Sequence, residues 1–238
     1  MDLDGPPVQL CIASTWDGAL IPDDERATVT LRASADALIV EVTAQFHGDP
    51  PPAKPPAPGG TWELWEHKVV ELFLVAMPAD DGEGDGGAGG RPRYTELELG
   101  PHGHHLLLGL DGVRDPSPER ALPFGAYEAR VEGARWTGRA ALPWDSFPAR
   151  PSSAASASSE EPLRVNAFAI HGVGAGRRYL AATPVPGPHP DFHRLECFQP
   201  LADLPTPPPR AIHGARDAGA AAPPVRQVSG ASEEDRQS

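Results

Sequence analysis

Glu71, Glu96 and Glu98 are the residues of this chain best suited to chemistry. Tyr94-Thr-Glu-Leu-Glu-Leu99 alternates in period two, placing Tyr94, Glu96 and Glu98 on one strand face and Thr95, Leu97 and Leu99 on the other. Pro101 and Gly103 punctuate the chain and a second apolar run follows, which predicts a β-hairpin with one face in a core and a row of acids on the other. Glu71 similarly interrupts the apolar run from Val69 to Val75. Carboxylates accept paired hydrogen bonds from vicinal hydroxyls, so this face suits a glycan or polyol-like ligand. Two acids roughly 5 to 9 Å apart are also what glycoside hydrolysis needs, and facing residues on antiparallel neighbours fall in that range. The plainer alternative is a solvated face, salt-bridged to Arg93, Arg164 or Arg178.

The remaining polar candidates surround these acids. Asn166 is expected to hydrogen-bond the ligand, His102 and His171 to stand at its edge, and Asp191 and His193 to close the rim. Trp62 and Trp65 lie three apart and would point to opposite faces of a strand, leaving one in the core and Trp65 free to stack on a sugar ring. Trp136 and Trp144 read as structural, with Trp144 beside Phe147-Pro148 plugging one end of the fold. His102 and His104 would share a strand face and could chelate a metal with His171 or His193, against a polar turn as the simpler reading. We assign neither catalytic nor metal-binding residues.

Other motifs fail on inspection. Asp81-Gly-Glu-Gly-Asp-Gly86 resembles the start of a calcium loop, but Pro92 occupies its twelfth position. His171-Gly-Val-Gly-Ala-Gly176 lacks the lysine and spacing of a phosphate loop and reads as a tight hairpin turn. No Gly-x-Ser-x-Gly elbow is present, and neither Cys11 nor Cys197 carries the signature of a cysteine nucleophile.

The elements that position these residues are short and separated by turn signals. Strands are predicted over Val8–Ile12, Ala27–Arg32, Ala37–Phe46, Val69–Ala76, Tyr94–Leu99, His105–Leu110, Ala126–Val131, Trp136–Leu142, Leu163–His171, Arg178–Ala182 and His193–Phe198. No long stretch keeps a helical period free of Pro or Gly. The prediction is an all-β protein, an antiparallel two-sheet sandwich or barrel.

Thirty prolines and 25 glycines in 238 residues require long irregular segments. Asp49–Gly60 is Pro-rich and expected to be extended, Ala79–Arg91 is rich in Gly and acids, and Pro151–Pro162 is rich in Ser and Ala. Pro205–Ser238 has almost no large apolar side chains and reads as a disordered tail, leaving residues 1–204 as the folded domain. A formal net charge of −13 without Lys/Arg clusters argues against nucleic acid and anionic membranes. No apolar run approaches the roughly 18 to 20 residues of a membrane span. The acidic N-terminus lacks a signal-peptide core, so a cytoplasmic location with both cysteines reduced, packed as small apolar groups, is expected.

Several stretches together resemble the family typified by the vertebrate protein named for open reading frame thirty-three of chromosome four. They are Thr15-Trp-Asp-Gly18, Asp49-Pro-Pro-Pro-Ala53, Glu63-Leu-Trp-Glu66, Val69-Val-Glu71, Tyr94-Thr-Glu-Leu-Glu98 running into Pro101-His-Gly103, and Leu142-Pro-Trp144. Asn166-Ala-Phe-Ala-Ile-His-Gly172, Arg178-Tyr179, Pro184-Val-Pro186 and Pro190-Asp-Phe-His193 continue the set in order. The central strands are also similar to the carbohydrate-binding-module-like and DOMON-like β-sandwiches, whose members bind sugars or, in some branches, haem. This implies a jelly-roll-like, carbohydrate-binding-like sandwich and brings no activity with it. A haem reading would need axial ligands, commonly Met with His, and the chain offers only Met1 and Met77; no cofactor is expected.

The reading that results is a non-catalytic module binding a glycan or polyol-like ligand through Trp65, Glu71, Glu96, Glu98, His102, Asn166, His171, Asp191 and His193. The alternatives are a hydrolase or isomerase using a Glu/His pair on the same face, and a protein-interaction scaffold presenting its Pro-rich segments. Oligomeric state is left open, as is whether the acidic face is open or covered by Asp49–Gly60.

Overall fold

Alternation of β-branched and polar residues drives the backbone into strands, and the apolar faces of those strands meet in two packed sheets. The structure, a computed structural model, describes residues 7–76, 91–115, 124–146 and 163–201. The Gly/acid-rich stretch to Gly90 with its calcium-like motif, Met77, Phe147-Pro148, the Ser/Ala-rich stretch and the Pro205–Ser238 tail lie outside these residues. Among the described residues there is no α-helix.

Twelve strands are described: β1 (Val8–Ile12), β2 (Ser14–Thr15), β3 (Ala27–Ala33), β4 (Ala37–Gln45), β5 (Val69–Ala76) and β6 (Arg93–Leu99), then β7 (His105–Asp111), β8 (Tyr127–Glu132), β9 (Arg135–Pro143), β10 (Arg164–His171), β11 (Arg178–Ala181) and β12 (Gln199–Pro200). One sheet runs β1-β3-β4-β9-β8 and the other β2-β11-β10-β5-β6-β7, with β12 also on β10. All pairings between these strands are antiparallel. The fold is therefore the all-β two-sheet sandwich.

The sheets differ in what their outer faces do. Val29, Leu31, Val40 and Val42 of the first sheet and Val70, Leu72, Leu97 and Ala167 of the second fill the space between them, with Trp136 the largest buried side chain there. The outer face of the first sheet is polar, carrying Thr30, Glu41, Thr43, Arg130, Thr137 and Arg139. The outer face of the second carries a separate core instead: Val69, Phe73, Val75, Tyr94, Leu106, Leu108, Phe168 and Ile170. Leu64, Val185, Phe192, Leu195 and Phe198, all from non-strand segments, cover it. A sheet coated on both faces reads as a near-continuous apolar run, which is why β5 is Val-Val-Glu-Leu-Phe-Leu-Val-Ala.

Three expectations are corrected. His193–Phe198 is not a strand but contains a 3-10 turn at Leu195–Cys197. Its buried residues Phe192, Leu195 and Phe198 recur every third position, the spacing at which 3-10 side chains eclipse. The stretch from Trp62 to β5 likewise turns, with a 3-10 segment at Leu64–Glu66. Cys11 is exposed rather than packed, because on edge strand β1 the alternation gives Ile12 to the core and turns Cys11 outward. Both cysteines are free. The His171–Gly176 stretch is the expected hairpin turn, closing β10 onto β11 at the His171–Arg178 pair.

Candidate functional site

Antiparallel register brings the three acids together. Glu71 of β5 pairs with Glu98 of β6, and Glu96 pairs with Phe73. All three therefore stand on the outer face of the second sheet, beneath the covering segments. The face is not an open sheet: Glu71 is 2% exposed, Glu96 5% and Glu98 0%. Burial, then the Glu96 charge, push the Glu71 carboxyl well above the ordinary carboxylate range, with Arg177 opposing. Burial raises Glu96 to about 8, with Arg114 opposing. Burial, then Glu71 and Glu96, push Glu98 well up. At about 8, Glu96 largely holds its proton at neutral pH.

Glu71 and Glu96 face a cavity of about 400 Å³. Leu108, Leu110 and Ile170 add an apolar floor, while Trp62, Trp65, Tyr179 and Phe192 supply aromatic walls. The rings of Trp62 and Trp65 meet edge to face, centroids 5.2 Å apart. The two tryptophans thus reach the same cavity, which corrects the expectation of opposite faces: they sit on a turn, not a strand. Arg177 stiffens this wall by donating to the Trp65 and Glu66 carbonyls, pairing with the Glu66 carboxylate at 3.3 Å and lying over the Tyr179 ring.

Arg114, Pro190, Asp191 and His193 form the polar end. The Arg114 guanidinium pairs with Asp191 at 2.7 Å, and Asp191 also accepts from the His193 N–H at 3.0 Å. The Tyr94 hydroxyl accepts the Arg114 N–H at 2.9 Å and lies 2.7 Å from His193 Nδ1. With the His193 ring hydrogen on Nε2, Tyr94 donates to Nδ1; with it on Nδ1, the ring donates to the hydroxyl. Burial, then Arg114, lower His193 to about 4, keeping the ring neutral. Arg114 takes a left-handed conformation at φ 58° to make these contacts.

Of the residues expected to bind ligand, Trp65, Glu71, Glu96, Asp191 and His193 line this cavity. Glu98 is on the same sheet face, but both its carboxyl oxygens are sealed without a hydrogen-bond partner. Asn166 is not at the cavity: its Oδ1 accepts the Ala167 and Thr183 N–H groups at 2.9 and 3.0 Å, and its Nδ2 donates to the Thr183 carbonyl at 2.9 Å. It ties down the covering segment. His102 is engaged with the Asp49 carbonyl at 3.2 Å. His171 is also elsewhere, because in β10 residues 165, 167 and 169 face the inter-sheet core and 171 follows their parity. It contacts Glu25 at 3.0 Å and stacks on His47. A Glu71–His171 pair is therefore excluded by strand geometry; the histidine that shares the cavity with the acids is His193.

The histidine cluster serves structure. His104 Nε2 lies 2.8 Å from the Lys54 carbonyl, and His105 stacks on Phe124. With His102, His104 pins Asp49–Gly60 along the turn between β6 and β7. Among the described residues no group of three His, Cys, Asp or Glu is placed to hold a metal ion. Leu108, Leu110, Arg114, Ile170, Tyr179, Pro190 and Phe192 were not singled out from the sequence; the even-numbered positions of β7 and β10 share the acids' face and would have given Leu108, Leu110 and Ile170.

No family model matches the chain. Curated relatives do. The UPF0462 protein C4orf33 homolog of Danio rerio is 36% identical over 198 residues, 79% of this chain and 85% of the relative. That of Rattus norvegicus is 36% identical over 80% and 86%, and UPF0462 protein C4orf33 of Homo sapiens is 34% identical over 79% and 84%. Among solved structures, a Bacteroides uniformis protein described as a candidate carbohydrate-binding protein superimposes with a TM-score of 0.53 at 15% identity, covering 80% of this chain and 84% of that one. That similarity speaks to the fold. By its sequence, the chain belongs to the UPF0462 protein C4orf33 family.

Proposed function

We propose that this protein is a non-catalytic binding module for a glycan or polyol-like ligand, seated in the cavity over Glu71 and Glu96. One observation carries the reading: two nearly fully buried carboxyls, with no hydrogen-bond partner among the described residues, face a cavity walled by Trp62, Trp65, Tyr179 and Phe192. Buried polar groups normally find partners, and a ligand rich in hydroxyls supplies them while its ring stacks on indole. A cavity of this size suits a small ligand. The carbohydrate-binding description of the Bacteroides uniformis structural relative is consistent with this class.

A glycoside hydrolase needs one protonated and one ionised carboxyl. Glu71, Glu96 and Glu98 are all pushed upward, and His193 is held neutral with Nδ1 already occupied. Before a cation enters the cavity neither supplies a ready base, which favours binding over hydrolysis. The two free cysteines support a reducing compartment such as the cytoplasm.

Calorimetric titration of the full chain with a panel of mono- and oligosaccharides tests the reading. Saturable binding that falls at least tenfold in Trp65→Ala is expected. Absence of binding across the panel, or binding indifferent to Trp65→Ala and Glu96→Gln alike, would sink it.

A further inference from the structure

We infer that the ligand of this cavity carries a protonated amine on its polyol-like body, as an aminated sugar does. The inference rests on the glycan-binding reading above and narrows it.

Three features select a cation. Glu71 and Glu96 line the cavity at 2% and 5% exposure, and among the described residues no basic side chain is ion-paired to either. The basic groups near them are already committed: Arg114 to Asp191, and Arg177 to Glu66 and the Trp65 carbonyl. His193 presents a neutral ring whose Nδ1 is occupied by the Tyr94 hydroxyl. Among the described residues no cation is therefore left to satisfy the carboxyls, and an ammonium arriving from outside would.

The walls reinforce that choice. The faces and edges of Trp62, Trp65, Tyr179 and Phe192 surround the same space, and aromatic rings attract cations in desolvated sites. Behind the lining stands Glu98, the register partner of Glu71, sealed and unpartnered. Neighbouring acids of this kind cannot all ionise, so the cluster can release one proton to solvent and retain the others. A single positive charge then meets a single negative one. A neutral sugar would take hydrogen bonds from the acids but leave that charge complementarity unused.

Three matched β-1,4 trimers test this on the full chain at pH 7: the trimer of glucosamine, the trimer of N-acetylglucosamine and cellotriose. Calorimetry in buffers of different ionisation enthalpy reads affinity and protons together. The glucosamine trimer is expected to bind at least tenfold more tightly than the other two, with a proton linkage on binding that the two neutral trimers lack. Glu96→Gln, which replaces one neutral group by another, is expected to keep its melting temperature and to lose the preference. Equal affinity for all three trimers would overturn the amine and leave the glycan-binding reading standing. Binding of none of them would overturn both. Undiminished preference in both Glu96→Gln and Glu71→Gln would show that the amine binds elsewhere and would also overturn the inference.

Discussion

At the scale of single residues, the acids on β5 and β6 set the chemistry of the protein and leave a signature in its stability. Glu71, Glu96 and Glu98 have carboxyls raised above their unfolded value, so the native state binds more protons than the unfolded chain. The stability they contribute is complete below about pH 4.5 and is lost as pH rises through their native values. His47, His171 and His193, all lowered to about 4, work in the opposite sense but only between about pH 4 and 6.5. From pH 6.5 to 8 the acids dominate, and Glu96 alone is expected to make the protein roughly 1 to 2 kcal/mol less stable at pH 8 than at pH 6.5 in urea titrations. Glu96→Gln should flatten that decline; a decline of unchanged slope would show that other groups cause it. Alternation in Tyr94–Leu99 was enough to place Glu96 and Glu98 on one face. It did not show that the face is covered, because the cover comes from irregular segments distant in sequence.

At the scale of elements, most strands were legible because period-two alternation is a direct record of two unlike environments. β1 and β5 were predicted to the residue, and eight more strands to within one residue at each end. β2 and β12 have two residues each, too few for any period. Segments with period three, Trp62/Trp65 and Phe192/Leu195/Phe198, were misread as strands although their spacing records eclipsed 3-10 side chains. Parity within β10 separates Asn166 and His171, five apart, onto opposite faces, so both could not have served one site. Asn166 anchors the covering segment by two hydrogen bonds to Thr183 and accepts a third from its neighbour Ala167. Asn166→Ala is therefore expected to cost roughly 2 to 3 kcal/mol in chemical denaturation, since it strands buried amide groups. Cost under about 0.5 kcal/mol would mean that the packing of Phe192 and Leu195 holds the segment unaided. Gly172→Ala should also destabilise, by about 1 kcal/mol or more: at φ 75° its added Cβ would lie 2.4 Å from the Gly176 carbonyl oxygen. An unchanged urea midpoint for Gly172→Ala would show that the turn can relax.

At the scale of the molecule, two cores stacked on either side of one sheet make the second sheet the spine of the protein. Free Cys11 and half-buried Cys197 report on its integrity. A thiol reagent is expected to modify Cys11 quickly in the native state and Cys197 only slowly; equal rapid reaction of both would show the 192–198 cover to be open much of the time. Removing residues 205–238 should leave the melting temperature unchanged if residues 1–204 are the folded unit, and a fall of several degrees would count against that boundary.

The buried acids also change how the whole chain behaves in an electric field. The formal charge of −13 counts every Asp and Glu as ionised. With the carboxyls of Glu71, Glu96 and Glu98 pushed upward, the native protein at neutral pH is less negative than that count. Near pH 5 the effect is offset, because three histidines that would ordinarily be charged there remain neutral. Native and denatured forms should thus focus at nearly the same point, close to the sequence value of 5.0. At pH 7.5 they should differ, the folded protein drifting more slowly toward the anode than its charge count demands.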